Sequence, residues 1–216
     1  MTGKVGARQK RLGADPALAL RAEPVSRLVA PRVDRGDVLP RTVVADPPWT
    51  PSLHANNPRR ATVDKAGPQK HYRTLELGEI IGIAPETAEQ AHLWLWVVNQ
   101  HVDWGYTVAR AWGFEPQQMI TWKKPGLGAG RFQCNSESVL VCRKGARQGN
   151  PFGMTGGTCF DWPRGRHSEK PDQFYRLVER ASPGPYLEMY CRRRQLGWLA
   201  HGNEIDDALP LFGEAA

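Results

Sequence analysis

The chain has 216 residues, 29 Lys plus Arg against 22 Asp plus Glu, and 40% hydrophobic content. That length suits one domain that buries a core without disulfide or metal staples, and 24% charged with 9% aromatic residues excludes a mainly disordered chain. No apolar run approaches the roughly 18 residues that span a bilayer, and the first 20 residues, with Lys4, Arg8, Lys10, Arg11 and Asp15, lack the apolar stretch of a secretion signal. We therefore expect a cytoplasmic protein with no membrane partner. Cys134, Cys142, Cys159 and Cys191 share no zinc-type spacing, so we expect reduced thiols and no metal site.

The net charge of +7 is unevenly placed. Residues 1–41 hold nine basic and four acidic groups, residues 123–149 six and one, and residues 195–216 none and four. A basic arm and a basic centre suit a polyanion such as nucleic acid.

Residues 1–40 read as an irregular basic arm, broken by Pro16, Pro24, Pro31 and Pro40, with one short helix near Ala17 to Arg21. Thr42 to Ala45 is a compact β-branched strand stopped by Asp46-Pro47-Pro48-Trp49. Residues 50–73, rich in Pro, Asn and Arg, read as a long functional loop. Leu75 to Ile81 forms a helical turn or two, and Glu86 to Ala91 is a second helix start. His92 to Val98 is apolar on both faces, as in a sheet covered on both sides. A helix over Val102 to Trp112 follows, then strands Gln118 to Trp122 and Ser138 to Cys142 around a glycine-rich loop at 126–130. Pro171 opens a helix over Asp172 to Ala181. Tyr186 to Tyr190 and Trp198 to Ala200 are the last strands, and residues 207–216 are an acidic tail. Alternating strands and helices predict a mostly parallel α/β sheet in a single domain at 41–206.

Asp46-Pro47-Pro48-Trp49 carries the most information. Ligands of open α/β sheets bind beyond the carboxyl ends of the strands, where Asp46 stands. Its carboxylate and the rigid Pro47 carbonyl present two acceptors, which match the two donors of an NH2 group. Trp49 offers a flat face for a base, a contact worth about 1–3 kcal/mol. A planar exocyclic amine is a poor nucleophile, so two such hydrogen bonds would polarise it and catalysis would rest on positioning. Trp94, Trp96, Trp112 and Trp122 read as core.

Further blocks follow in order: HYRTLELGEI, LWLWVVNQ, ITWKKPGLGAGRF, SESVLVCRKG, HSEKPDQFYRLVE and LEMYCRRRQLGWLAHGNE. With VVADPPW they make the chain resemble the DPPW-type adenine methyltransferases, the family named after the catalytic subunit of the messenger-RNA adenosine methyltransferase, which has bacterial and phage members. The likeness runs from about Thr42 to Ile205. It implies a Rossmann-like S-adenosylmethionine-dependent fold in permuted order, the amine-binding motif preceding the cofactor strand. No GxGxxG follows an early strand, which argues against a dinucleotide.

On this resemblance Asp46, Pro47, Pro48 and Trp49 are the catalytic turn. Lys170 would pair with the cofactor carboxylate, beside a helix N-terminus that also favours an anion. Arg192 would lie near the ribose. Arg194 and Gln195 stand where the messenger-RNA enzyme has His and Asn, so their part is less defined. Asn203 and Glu204 would meet the adenine ring, and Glu188 would touch cofactor or fix Lys170. Tyr72, Lys124 and Glu137 fall on the substrate side: Tyr72 against the base, Lys124 towards a phosphate, Glu137 steadying the loop. His167 reads as a local loop residue.

The expected reaction is methyl transfer from S-adenosylmethionine to the exocyclic amine of adenine in DNA, from a base flipped out of any duplex. Arg59, Arg60, Lys65 and Lys70 would join the phosphate contacts, which give affinity without sequence choice. RNA adenine, a catalytically silent nucleic-acid-binding relative and the cytosine amine stand as rivals. Leu209, Leu211 and Phe212 faintly resemble a replication-clamp peptide.

Overall fold

The computed structural model describes residues 39–50, 74–127, 133–146, 151–153, 156–165, 169–191 and 193–202. Residues 1–38 of the basic arm, Arg59, Arg60, Lys65, Lys70, Tyr72, His167, Arg192, Asn203, Glu204 and the tail with Leu209, Leu211 and Phe212 lie outside them. Among the described residues no helix is long and apolar enough to cross a membrane.

Seven strands form one sheet: β1 (Thr42–Ala45), β2 (Ala91–Val97), β3 (Glu115–Lys123), β4 (Ser136–Lys144), β5 (Cys159–Phe160), β6 (Tyr186–Met189) and β7 (Trp198–His201), in the order β5-β3-β4-β2-β1-β6-β7. The pairings β1–β2, β1–β6, β6–β7 and β3–β5 are parallel, while β4 runs antiparallel between β2 and β3. The sheet is thus mixed with a parallel majority, the α/β Rossmann-like class expected. The helices are α1 (Leu77–Gly82), α2 (Val102–Ala111) and α3 (Asp172–Ala181), with a 3₁₀ turn at Asn99–His101 before α2.

Strand periodicity sorts the core into two layers. Val43, Ala45, Leu93, Leu95 and Val97 face one side and pack with Ile80 of α1 and Val108 and Ala109 of α2. Val44, Trp94 and Trp96 face the other and meet Phe174, Leu177 and Val178 of α3. The tryptophans read as core are buried there, Trp94, Trp96 and Trp122 under α3 and Trp112 on the opposite face. Each indole removes roughly 150–250 Å² from water, so these rings dominate the packing. Gly105 of α2 lets the helix close on the sheet: a Cβ there would lie 2.4 Å from Val97 Cγ1. The Trp112 indole N–H donates to the carbonyls of Ile80 and Ile81 at the end of α1, 3.2 Å each, satisfying groups a short helix leaves bare.

One expectation fails and one strand was not foreseen. The helix start at Glu86 to Ala91 does not form: residues 84–88 have no regular structure and Ala91 already opens β2, because the Ala88 N–H bonds to the Pro40 carbonyl and ties the segment to the entry of β1. β5 escaped notice because two residues carry no periodicity; pairing with Thr121 and Trp122 alone defines it. The cysteines divide evenly, Cys142 and Cys191 buried, Cys134 and Cys159 exposed.

Candidate active site

Topology brings the chemistry to one edge. From β1 the chain steps to β2 on one side, while β6 and β7 lie on the other, so the strand order reverses between β1 and β6. Ligands of open α/β sheets bind at such a switch point, outside the carboxyl ends. Asp46 leaves β1 there, and its N–H reaches the Met189 carbonyl at the end of β6, 3.4 Å away. β4 is antiparallel to β2, so its beginning, Ser136 and Glu137, stands on this edge, as does Lys124 at the exit of β3. α3 returns towards β6 and therefore starts here, with Lys170 just before it.

These four side chains form a chain of alternating charge. Lys170 Nζ lies 3.1 Å from Asp46 Oδ2 and 2.9 Å from Glu137 Oε2, and Lys124 pairs with Glu137 Oε1. The Lys170 side chain is 12% exposed, and its ammonium sits 4.3 Å from the Trp96 ring centroid, a cation–π contact. Burial works against the Lys170 charge, but the Asp46 and Glu137 carboxylates outweigh it and the net pKa shift is upward. Burial likewise pushes the Glu137 carboxyl up, yet Lys170 and Lys124 together bring it below its ordinary value. Asp46 is not sealed: its side chain is 29% exposed. With Oδ2 held by Lys170, Oδ1 remains an acceptor. Lys124, expected to reach a phosphate, is spent on Glu137 in this structure, and Glu137 binds two lysines besides bordering the loop.

The turn itself is braced from several sides. The Pro47 carbonyl accepts the Trp49 N–H at 2.8 Å, leaving it one further lone pair. The Leu75 N–H donates to Pro48 and the Thr50 N–H to Leu75, a parallel bridge that closes the two ends of the 51–73 segment side by side. The Trp49 indole is 7% exposed and donates to the Trp96 carbonyl at 3.1 Å, so in this structure the ring lies among core side chains rather than as an open platform. His101, which sequence reasoning passed over, completes the brace. It is 3% exposed, its ring is 6.0 Å from Trp49 and 4.3 Å from Trp104, and its Nε2 lies 2.5 Å from the Thr50 carbonyl. A carbonyl only accepts, so Nε2 carries the proton. The signal available was a histidine just past the carboxyl end of an apolar strand, on the same edge as Asp46.

Beyond β6 the backbone turns through Tyr190 at φ +61°, left-handed for a bulky residue. Glu188 is buried and its Oε1 accepts the Tyr175 hydroxyl at 2.6 Å, while Glu188 Oε2 and the Tyr190 hydroxyl have no hydrogen-bond partner among the described residues. Burial lifts the Glu188 carboxyl to about 7 against the lowering effect of that hydrogen bond. Its anchor is thus Tyr175, the alternative to fixing Lys170 by direct contact. Arg194 and Gln195 sit half-buried on the connection from β6 to β7. Arg193, also missed, pairs with Glu169 at 3.0 Å and with Asp172, fastening that connection to the start of α3 beside Lys170.

A Rossmann-like sheet with polar groups gathered at its switch point places the chain in the α/β class whose ligands bind at that edge, here without the dinucleotide glycine fingerprint. The model of the MT-A70 family matches residues 40–204, and the chain belongs to that family, whose methyltransferases use S-adenosylmethionine. The chain is similar to the N(6)-adenosine-methyltransferase catalytic subunit METTL3 of Homo sapiens, 29% identical over 176 residues that cover 76% of this chain and 28% of that protein. It is 27% identical over 180 residues to the N(6)-adenosine-methyltransferase MT-A70-like protein of Drosophila melanogaster, covering 76% of this chain and 26% of the relative. With the type II methyltransferase M.MunI of Mycoplasma sp it shares 26% over 192 residues, 81% of this chain and 82% of the relative. The chain therefore spans under a third of the first two and most of the third.

Proposed function

We propose that the chain transfers the methyl group of S-adenosylmethionine to the exocyclic amine of adenine in DNA. The observation that carries this reading is the Asp46 carboxylate at the switch point, partly open, with one oxygen held by a buried lysine and the other left as acceptor. Asp46 Oδ1 and the second lone pair of Pro47 take the two N–H donors of the amine. That draws the nitrogen lone pair out of the ring and towards the transferring methyl. As nitrogen gains the methyl it sheds a proton, and Asp46 is the adjacent acceptor. Electrostatic positioning of this kind is worth about 10²–10³ in rate for each hydrogen-bonding group.

The residues present fit the cofactor. Lys170 uses two of its three N–H donors and retains one for a carboxylate, and the orphaned Glu188 Oε2 and Tyr190 hydroxyl suit amine or hydroxyl groups at the end of β6. When bound, S-adenosylmethionine supplies a methyl on a sulfonium sulfur, an electrophile that needs no metal. Arg192, Arg194, Gln195, Asn203 and Glu204 are proposed to complete that side, and Tyr72 the substrate side. DNA is preferred to RNA because a relative matched along most of both chains is a type II methyltransferase.

The test is incubation with labelled S-adenosylmethionine and matched DNA and RNA oligonucleotides, followed by nucleoside analysis. Label in N6-methyl-deoxyadenosine is expected. Label confined to RNA, or to cytosine, would displace this reading, and binding of nucleic acid without binding of S-adenosylmethionine would mark a silent relative.

A further inference from the structure

Beside the charge chain lies a groove that the acceptor chemistry does not use. β3 and β5 are parallel and end on the same edge, so two exits run out next to each other: Lys123 to Leu127 from β3, and Asp161 to Pro163 from β5. Between them is an open cleft of about 520 Å³, which Asn135 also lines. That volume is within the roughly 300–1,000 Å³ of small-ligand clefts.

Its walls are of two kinds. One is apolar: Pro125, Leu127, Trp162 and Pro163. Leu127 is 68% exposed, the second most exposed of the large hydrophobic side chains described. Trp162 is set firmly, its ring stacked on Phe160 at 4.6 Å and 17°, its carbonyl accepting the Trp122 indole N–H at 2.9 Å. The other wall carries charge of both signs. Lys123 pairs with Asp161 at 3.1 Å, a solvent-exposed contact from which an anion can displace Asp161 at little cost, and Lys124, paired with Glu137, lines the groove as well. Lys124 is also the last member of the chain that reaches Asp46 through Glu137 and Lys170, so the groove opens beside the acceptor site.

A planar apolar face next to ammonium groups is the complement of a base next to a phosphate. Resting on the proposed activity, we infer that this groove holds the nucleotide adjacent to the target adenine in a single, extruded or unpaired DNA strand, the base against Trp162 and Leu127 and its phosphate at Lys123. The groove thereby distinguishes a polynucleotide from a free nucleoside, which fills the acceptor site alone.

The test uses the full chain carrying Lys123→Gln and Leu127→Asp, two exposed positions outside the reacting groups. With a single-stranded DNA oligonucleotide holding one adenine, KM is expected to rise about tenfold while kcat and the KM for S-adenosylmethionine stay within about twofold. The slope of log kcat/KM against log salt is expected to become shallower by about 0.7, one single-strand phosphate contact. Transfer to free deoxyadenosine is expected to be unchanged. A 5-iodo-deoxyuridine placed next to the adenine is expected to photocross-link to Trp162. An unchanged oligonucleotide KM, or an equal loss on the nucleoside, overturns the inference. Should the wild-type chain methylate no oligonucleotide, the proposed activity fails, and the groove is still read by fluorescence anisotropy: about tenfold weaker binding of the labelled strand by the double variant upholds it, and equal binding overturns it.

Discussion

At their amino ends β1 and β2 meet a buried histidine, a serine and two aromatic rings; at their carboxyl ends they meet a buried histidine, two carboxylates and two lysines. At the amino edge these groups close on one another through hydrogen bonds and ring contacts. Ser182 Oγ lies 2.8 Å from His92 Nδ1 and accepts the Trp94 indole N–H at 3.0 Å, Thr42 donates to Pro183, and Phe152 stacks on His92 at 3.8 Å. At the carboxyl edge the carboxylates and lysines are joined in series by ion pairs, next to two buried oxygens without hydrogen-bond partners among the described residues. Satisfied hydrogen bonds fix a fold. Buried charges held together beside orphaned acceptors cost stability and are retained where they do chemistry.

Substitutions at the two edges should separate accordingly. The largest effect is expected from Asp46→Ala, which removes the acceptor and one partner of Lys170: kcat should fall at least about a thousandfold, with S-adenosylmethionine still bound in a calorimetric titration. Loss of cofactor binding and folding to the same degree would make Asp46 structural and erase the contrast.

Next comes Glu188→Gln, read by pH. Glu188 is lifted from 4.5 to about 7 by burial, so the fold prefers its protonated form. That contribution is whole below about 4.5 and is lost as pH rises through about 7. Glutamine keeps an acceptor for Tyr175 and never ionises. Between pH 4.5 and 8 the variant should gain roughly 3 kcal/mol relative to wild type in denaturant titrations without cofactor. Parallel stability–pH curves would contradict it.

Ser182→Ala tests the amino edge. It strands the Trp94 N–H and a ring nitrogen contact of His92, so stability should drop by about 1–3 kcal/mol while kcat of the folded enzyme holds. A fall in kcat without a fall in Tm would place Ser182 in the chemistry. The smallest expected effect is His101→Gln, which preserves a donor for the Thr50 carbonyl but not the rings stacked around it. We expect about a tenfold loss in kcat at unchanged KM for S-adenosylmethionine, checked by steady-state kinetics at saturating cofactor.

The elements that the sequence made legible are those whose signal is local. Thr42–Ala45 and Asp172–Ala181 appear with the bounds expected, one set by β-branched residues against prolines, the other by Pro171 and a strong apolar face. β3 and β4 extend beyond their apolar centres, because antiparallel pairing carries polar ends such as Glu115 and Lys144 into the ladder. The reversal of β4 has no sequence signature. Of the candidate site, Asp46, Lys170, Glu137 and Lys124 were each singled out and do meet. Their linkage in series was hidden, since it depends on which strand ends share an edge. Trp49 was expected to offer its flat face to a base, whereas its N–H found the Trp96 carbonyl.

The bridge between Trp49 and Leu75 gives the intervening stretch a particular standing. The described residues on its two sides, Thr50 and Leu75, are hydrogen-bonded to each other, and Leu75 is bonded in turn to Pro48 of the Asp46-Pro47-Pro48-Trp49 turn. Those bonds use main-chain groups alone, so the join depends on the side chains at Thr50 and Leu75 only in excluding proline, which has no N–H to give.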